Sequence, residues 1–237
     1  MIRLFVCFVL GTVLSSGVRG ADWAEVVARM PLAQAVPVLN RTNAVALMLG
    51  AFRENDTIKA LIFMPGATDE LYFFDRDSAK LTNASPTLLD AISAYTNQTR
   101  ILVKFSPPFL LLHSKEDPLE PVIKVEHART AEKLASRKFD RHTFYNDAPW
   151  PVIKKDFGFS MNVFMWPEPY ADSANHFYRH TFTGWNLTGM EALQAIVLSG
   201  KTTVTIGRGK LSFEPNPRFL ERPEGSAKRA LRLMDKQ

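Results

Sequence analysis

An α+β protein with a mixed sheet is the fold class this sequence predicts, on three observations. Twice, a helix with one apolar face is followed by two short β-prone runs around a tight turn, first over residues 87–113 and again over 188–213. Elsewhere helices and strands do not keep the strict strand-helix-strand alternation that builds a doubly wound parallel sheet. The composition, 46% hydrophobic and 22% charged, is that of an ordinary globular chain.

In chain order, Trp23, Val26, Val27 and Met30 share one helical face behind Asp22, a favoured N-cap residue. The apolar stretch 32–52 is interrupted by Pro37, Asn40 and Asn43, and predicts a helix followed by a helix or strand around 44–52. Residues 59–64 form a buried strand, Pro65-Gly66 begins a turn, and 70–74 form a second strand, so a hairpin is expected there. After Ser85-Pro86, Leu88, Leu89, Ala91, Ile92 and Tyr95 mark a helix over 87–95, and strands follow at 100–104 and 109–113 around Pro107-Pro108. Residues 122–138 read as mostly helical through Val125, Ala128, Ala131, Leu134 and Ala135. A strand at 141–145, a short helix to Phe157, a strand at 161–166, a loop over 167–175 and a strand over 176–182 complete the middle of the chain.

The second helix-plus-hairpin unit places Met190, Leu193, Ile196 and Val197 on one face, then strands at 202–206 and 210–213 around Gly207-Arg208-Gly209. Leu89-Asp90-Ala91-Ile92 laid over Leu193-Gln194-Ala195-Ile196 predicts an internal duplication, with lobes 21–120 and 121–216.

Residues 1–20 have the form of a cleavable signal peptide. Arg3 supplies the positive start, 4–14 are apolar apart from Gly11 and Thr12, and Val18 and Gly20 present small or modest side chains ahead of Ala21. The charge-free run is too short for a spanning helix, which needs about 20 apolar residues, so no transmembrane segment is expected in the mature chain. The one cysteine, Cys7, falls inside this leader. A mature chain free of cysteine stands on its hydrophobic core, and points to a periplasmic or secreted bacterial protein.

The formal net charge of +5 also has a local origin. Arg3 and Arg19 belong to the leader, and the tail 217–237 holds six basic residues against three acidic ones. The globular region 21–216 is therefore neutral, and nucleic acid is not an expected partner. Five Asn-x-Ser/Thr triplets begin at Asn40, Asn55, Asn83, Asn97 and Asn186. They match the glycosylation acceptor pattern, but Asn and Thr are also the residues that turns and helix caps prefer, so turn and cap roles are expected of them.

The run 186–196, followed by Thr203-Val204-Thr205-Ile206 and Lys210-Leu211-Ser212-Phe213, resembles the short βαββ modules at the N-termini of bacterial secretins and outer-membrane TonB-dependent receptors. The resemblance covers 181–214 and a second stretch at 80–113. It implies a periplasmic interaction module and carries over no functional residue. A second likeness, to the late strand of an α/β-hydrolase, rests on 108–121, where Leu110-Leu111-Leu112-His113 leads to Asp117-Pro118, with His127 following. It implies Asp117 as a triad acid with a histidine such as His113 or His127, but no Gly-x-Ser-x-Gly nucleophile elbow is present.

His176 and His180, four residues apart beside Glu168 and Asp172, are the candidate metal ligands. Trp150, Trp166, Trp185, Tyr170 and Tyr178 read as core and edge fillers. No complete catalytic, metal or nucleotide motif emerges and no cofactor is implied. The expected function is that of an exported, non-catalytic α+β protein of the bacterial envelope that acts by binding or assembly, with an envelope protein as partner. A hydrolase-like enzyme using Asp117 and a histidine is the alternative.

Overall fold

The computed structural model of the chain describes residues 22–40, 42–65, 78–114, 122–147, 150–163 and 180–216. Its helices are α1 (Asp22–Ala28), α2 (Ala44–Ala51), α3 (Leu88–Gln98), α4 (Ala128–Ser136), α5 (Trp150–Phe157) and α6 (Gly189–Ser199). Its strands are β1 (Val38–Leu39), β2 (Ala60–Phe63), β3 (Ala79–Lys80), β4 (Ile101–Ser106), β5 (Phe109–Ser114), β6 (Ile123–Val125), β7 (Lys138–Asp147), β8 (Ser160–Val163), β9 (His180–Thr188), β10 (Thr202–Gly207) and β11 (Lys210–Pro215). The protein is α+β. Among the described residues no helix is long and apolar enough to cross a membrane.

A five-stranded mixed sheet runs β4-β5-β2-β9-β7, a four-stranded sheet runs β6-β10-β11-β8, and β1 pairs with β3. β2 shows why the larger sheet sits in the middle. Its residues Ala-Leu-Ile-Phe are all buried, and consecutive side chains leave on opposite faces. Leu61 and Phe63 enter a core with α1, α2 and α3, whereas Ala60 and Ile62 enter a second core with α6. A strand buried on both faces is apolar throughout, without alternation. α6 follows the same logic. It packs on the larger sheet and on Val204, Ile206, Leu211 and Phe213 of the smaller one, so Ala192, Leu193, Ala195, Ile196, Val197 and Leu198 are all buried. Each large side chain fully buried there contributes about 1.5–3 kcal/mol.

The chain is built twice. Leu88 and Gly189 begin helices of 11 residues, Ile101 and Thr202 begin strands of 6, and Phe109 and Lys210 begin strands of 6, each pair 101 positions apart. The pairings repeat as well. β4 on β5 matches Ile101 to Ser114, as β10 on β11 matches Thr202 to Pro215. β2 runs parallel to β5 as β8 does to β11, and β1 is antiparallel to β3 as β7 is to β9. Both helices start in the same way. Thr87 Oγ1 accepts from Asp90 N–H while Asp90 accepts from Thr87 N–H, and Thr188 and Glu191 do likewise, closing a capping box in each copy.

This corrects the alignment drawn from apolar rhythm, which set Leu89 over Leu193. Three residues carry a helix through most of a turn, so a slip of three leaves an apolar face nearly superposed, and only the caps distinguish the registers. Two further expectations are corrected. A hairpin of 59–64 with 70–74 would need a free edge on β2, but β5 and β9 occupy both; residues 70–74 themselves lie outside those described. Residues 122–138 are not one helix, because Ile123, Lys124 and Val125 pair with β10 before α4 begins. The spacing 125, 128, 131 satisfies a helix locally, and the waiting edge of β10 overrides it.

The Asn-x-Ser/Thr triplets act in turns and caps. Asn40, Asn55 and Asn83 each accept on Oδ1 from the N–H two residues on, the Asx turn. Thr99 Oγ1 donates to the Tyr95 carbonyl at the end of α3, and Thr188 caps α6.

Candidate functional site

The histidines are where chemistry was expected, and the fold gives each a different neighbourhood. His180 opens β9 and is wholly buried. Its Nδ1 lies 2.8 Å from the Ile196 carbonyl and 3.2 Å from Ser199 Oγ. A ring N–H there donates to a carbonyl in the last turn of α6, where carbonyls lack helical partners. Burial pushes the imidazole pKa down to about 3, against a smaller upward pull from that hydrogen bond. The ring is thus neutral across the physiological range, and Gly200 leaves room for it: a Cβ at Gly200 would stand 2.3 Å from His180 Cε1. His180 is a prop between β9 and α6. Its proposed co-ligand His176 lies outside the described residues, and among those described no three His, Cys, Asp or Glu side chains group as a metal site would need.

His127 is the N-cap of α4. Its Nδ1 accepts from Thr130 N–H at 3.2 Å and lies 2.8 Å from Thr130 Oγ1, which in turn accepts from Gly209 N–H. That nitrogen is committed to the helix start and to the β10–β11 turn. His113 is half-buried near the end of β5, with Nδ1 2.8 Å from the Ser114 carbonyl. Asp117, the acid of the hydrolase likeness, lies outside the described residues. His113 and His127 are on different sheets' elements, β5 and the α4 start that follows β6, and no hydrogen bond joins them among those described.

One imidazole–carboxylate pair escaped sequence reasoning. His142 Nε2 on β7 stands 3.5 Å from Asp156 Oδ2 on α5. Phe139, Phe144, Phe157, Phe182, Leu187, Ala192 and Ile196 complete a shallow apolar hollow around them, with room for about one water. Burial lowers the His142 pKa, opposed by the charges of Asp156 and Asp140. Nothing in the sequence signals this pair, since its members are 14 residues apart on a strand and a helix. Among the described residues the lining holds no serine, threonine or cysteine.

Trp185 reaches across from β9 into the first core, 5.2 Å from Phe52, with the Arg141 guanidinium 5.1 Å over its ring. This is the filler role its sequence context predicts. Compared with family models, with curated proteins and with solved structures, the chain matches none.

Proposed function

We propose that this chain is an exported protein of the bacterial envelope that works by binding or assembly, without a catalytic centre. The repeated helix-plus-hairpin unit is the observation that carries this reading. Each copy has the strand-helix-strand-strand order β3-α3-β4-β5 or β9-α6-β10-β11, the order of the secretin and TonB-receptor modules that the sequence resembles. In support, His127 and His180 each place Nδ1 at a helix end, a structural use of both rings. Export rests on the leader-like residues 1–20.

The test expresses the full chain in a Gram-negative host, fractionates the cells and sequences the N-terminus of the recovered protein. A periplasmic or secreted product beginning at Ala21, with an envelope protein cross-linked to it, is expected. A cytoplasmic product that retains residues 1–20 would overturn export. Esterase or phosphatase activity abolished by Asp117→Ala would replace the binding reading with the hydrolase one.

A further inference from the structure

We propose that the outer edge of β4 is a docking site for an extended segment of another polypeptide, added as a parallel strand with an apolar–acidic–apolar pattern. The proposal rests on the binding reading above and names the surface and partner chemistry for it.

The second copy displays what such an edge is built to hold. β10 is paired on one side with β11 and on the other with β6, parallel, with Val204 opposite Ile123, Thr205 opposite Lys124 and Ile206 opposite Val125. Val204 N–H donates to the Val122 carbonyl at 3.0 Å, and the Ile206 carbonyl accepts from Glu126 N–H at 3.0 Å and His127 N–H at 3.1 Å. β4 and β5 pair in the same register as β10 and β11. In an antiparallel ladder each residue directs both its backbone groups to the same side. Val103 and Phe105, the counterparts of Val204 and Ile206, therefore direct the same N–H and C=O groups outward.

In the first copy this position is open among the described residues: β4 ends the five-stranded sheet, and no described strand pairs with its outer side. The side chains register the difference. Val204 and Ile206 are fully buried, whereas Val103 and Phe105 are only partly covered. Leu102, on the opposite face of β4, is 38% exposed. An edge of alternating apolar residues with unpaired backbone groups is what strand addition uses.

The occupant's chemistry follows from one substitution between the copies. Where β10 has Thr205 opposite Lys124, β4 has exposed Lys104. A segment like β6 from a second copy would set lysine against lysine, and like charges directly opposite are unfavourable. A carboxylate between two apolar residues fits instead.

Two synthetic peptides test this against protein expressed from the full chain, by fluorescence anisotropy: residues 121–127 as they stand, and the same peptide with Lys124→Glu. The Glu peptide is expected to bind saturably, at least fivefold tighter than the Lys peptide, and to slow hydrogen exchange at the Val103 amide but not at Val204. Lys104→Glu should reverse the preference. Val103→Pro, which removes the outward N–H at an edge where proline is tolerated, should abolish binding. Absence of saturable binding, or a preference that Lys104→Glu leaves unchanged, would overturn the docking site and leave Lys104 as a guard against edge aggregation. An envelope partner captured equally by the native and Val103→Pro proteins would overturn the β4 site while leaving the binding reading standing.

Discussion

Lys59 donates to both carboxylate oxygens of Glu191, at 2.8 and 2.9 Å, and so joins the strand entry of the first copy to the helix start of the second. Glu191 also accepts from Thr188 N–H at 2.7 Å, so one carboxylate serves a helix cap and the contact between copies. With the two side chains 34% and 22% exposed, solvent weakens the pair. Lys59→Met is expected to cost about 1 kcal/mol. Glu191→Ala should cost about 2 kcal/mol, because the cap is lost as well. Urea unfolding of both single variants and the double variant measures this. A double variant that loses less than the two singles together, by about 0.5 kcal/mol, is the expected mark of coupling.

His180 makes stability depend on pH. Folded, it protonates near pH 3; unfolded, near the ordinary imidazole value of about 6.5. Between those values the unfolded chain binds more protons, so the contribution is fully present above about pH 6.5 and is lost as pH falls toward 3. The slope approaches about 1.4 kcal/mol per pH unit for one proton. Urea midpoints measured from pH 7 to pH 4.5 should fall more steeply for the native chain than for His180→Gln. Equal slopes would show that the ring is not held neutral.

Three glycines should respond in opposite directions. A Cβ at Gly200 would meet the His180 ring at 2.3 Å, and one at Gly189 would meet the Leu134 carbonyl oxygen at 2.5 Å, whereas at Gly50 nothing lies within 4 Å. Gly200→Ala and Gly189→Ala are each expected to destabilise by about 2 kcal/mol or more. Gly50→Ala, near the end of α2, should stabilise by about 0.5 kcal/mol. Thermal melts of the three variants decide it.

His142 should titrate below the ordinary imidazole value because burial outweighs the neighbouring carboxylates. Removing one of those carboxylates with Asp156→Asn should lower its midpoint further. Histidine ring resonances followed by NMR through the titration give both numbers. An upward shift in the variant would mean that Asp156 does not act on His142 as a charge.

Much of the fold was legible because it is local. The helix expected over 87–95, which runs on to Gln98, the two hairpins and the α+β class follow from apolar spacing and turn residues within a dozen positions. The repeated unit is legible too, but apolar rhythm alone places it three residues out of register. Thr87 with Asp90 and Thr188 with Glu191 are capping boxes visible in the sequence, and they set the offset of 101 that apolar rhythm left ambiguous. Of the histidines, the sequence offered residue type without neighbourhood. Nothing near His127 in the chain shows that it caps α4, and nothing near His180 shows that it supports the end of α6.

The sequence by itself determined the α+β class, the repeated helix-plus-hairpin unit and the turn and cap roles of the Asn-x-Ser/Thr triplets, since each depends on groups a few residues apart. Only the tertiary structure decided that β2 would lie between β5 and β9, that Ile123 and Val125 would leave their helical spacing for the edge of β10, and that Glu191 would meet Lys59 across 132 positions. Strand partners and buried polar contacts are chosen by surfaces that lie far apart in the chain. Periodicity reports which face of an element is apolar, and it carries no information about what that face will meet.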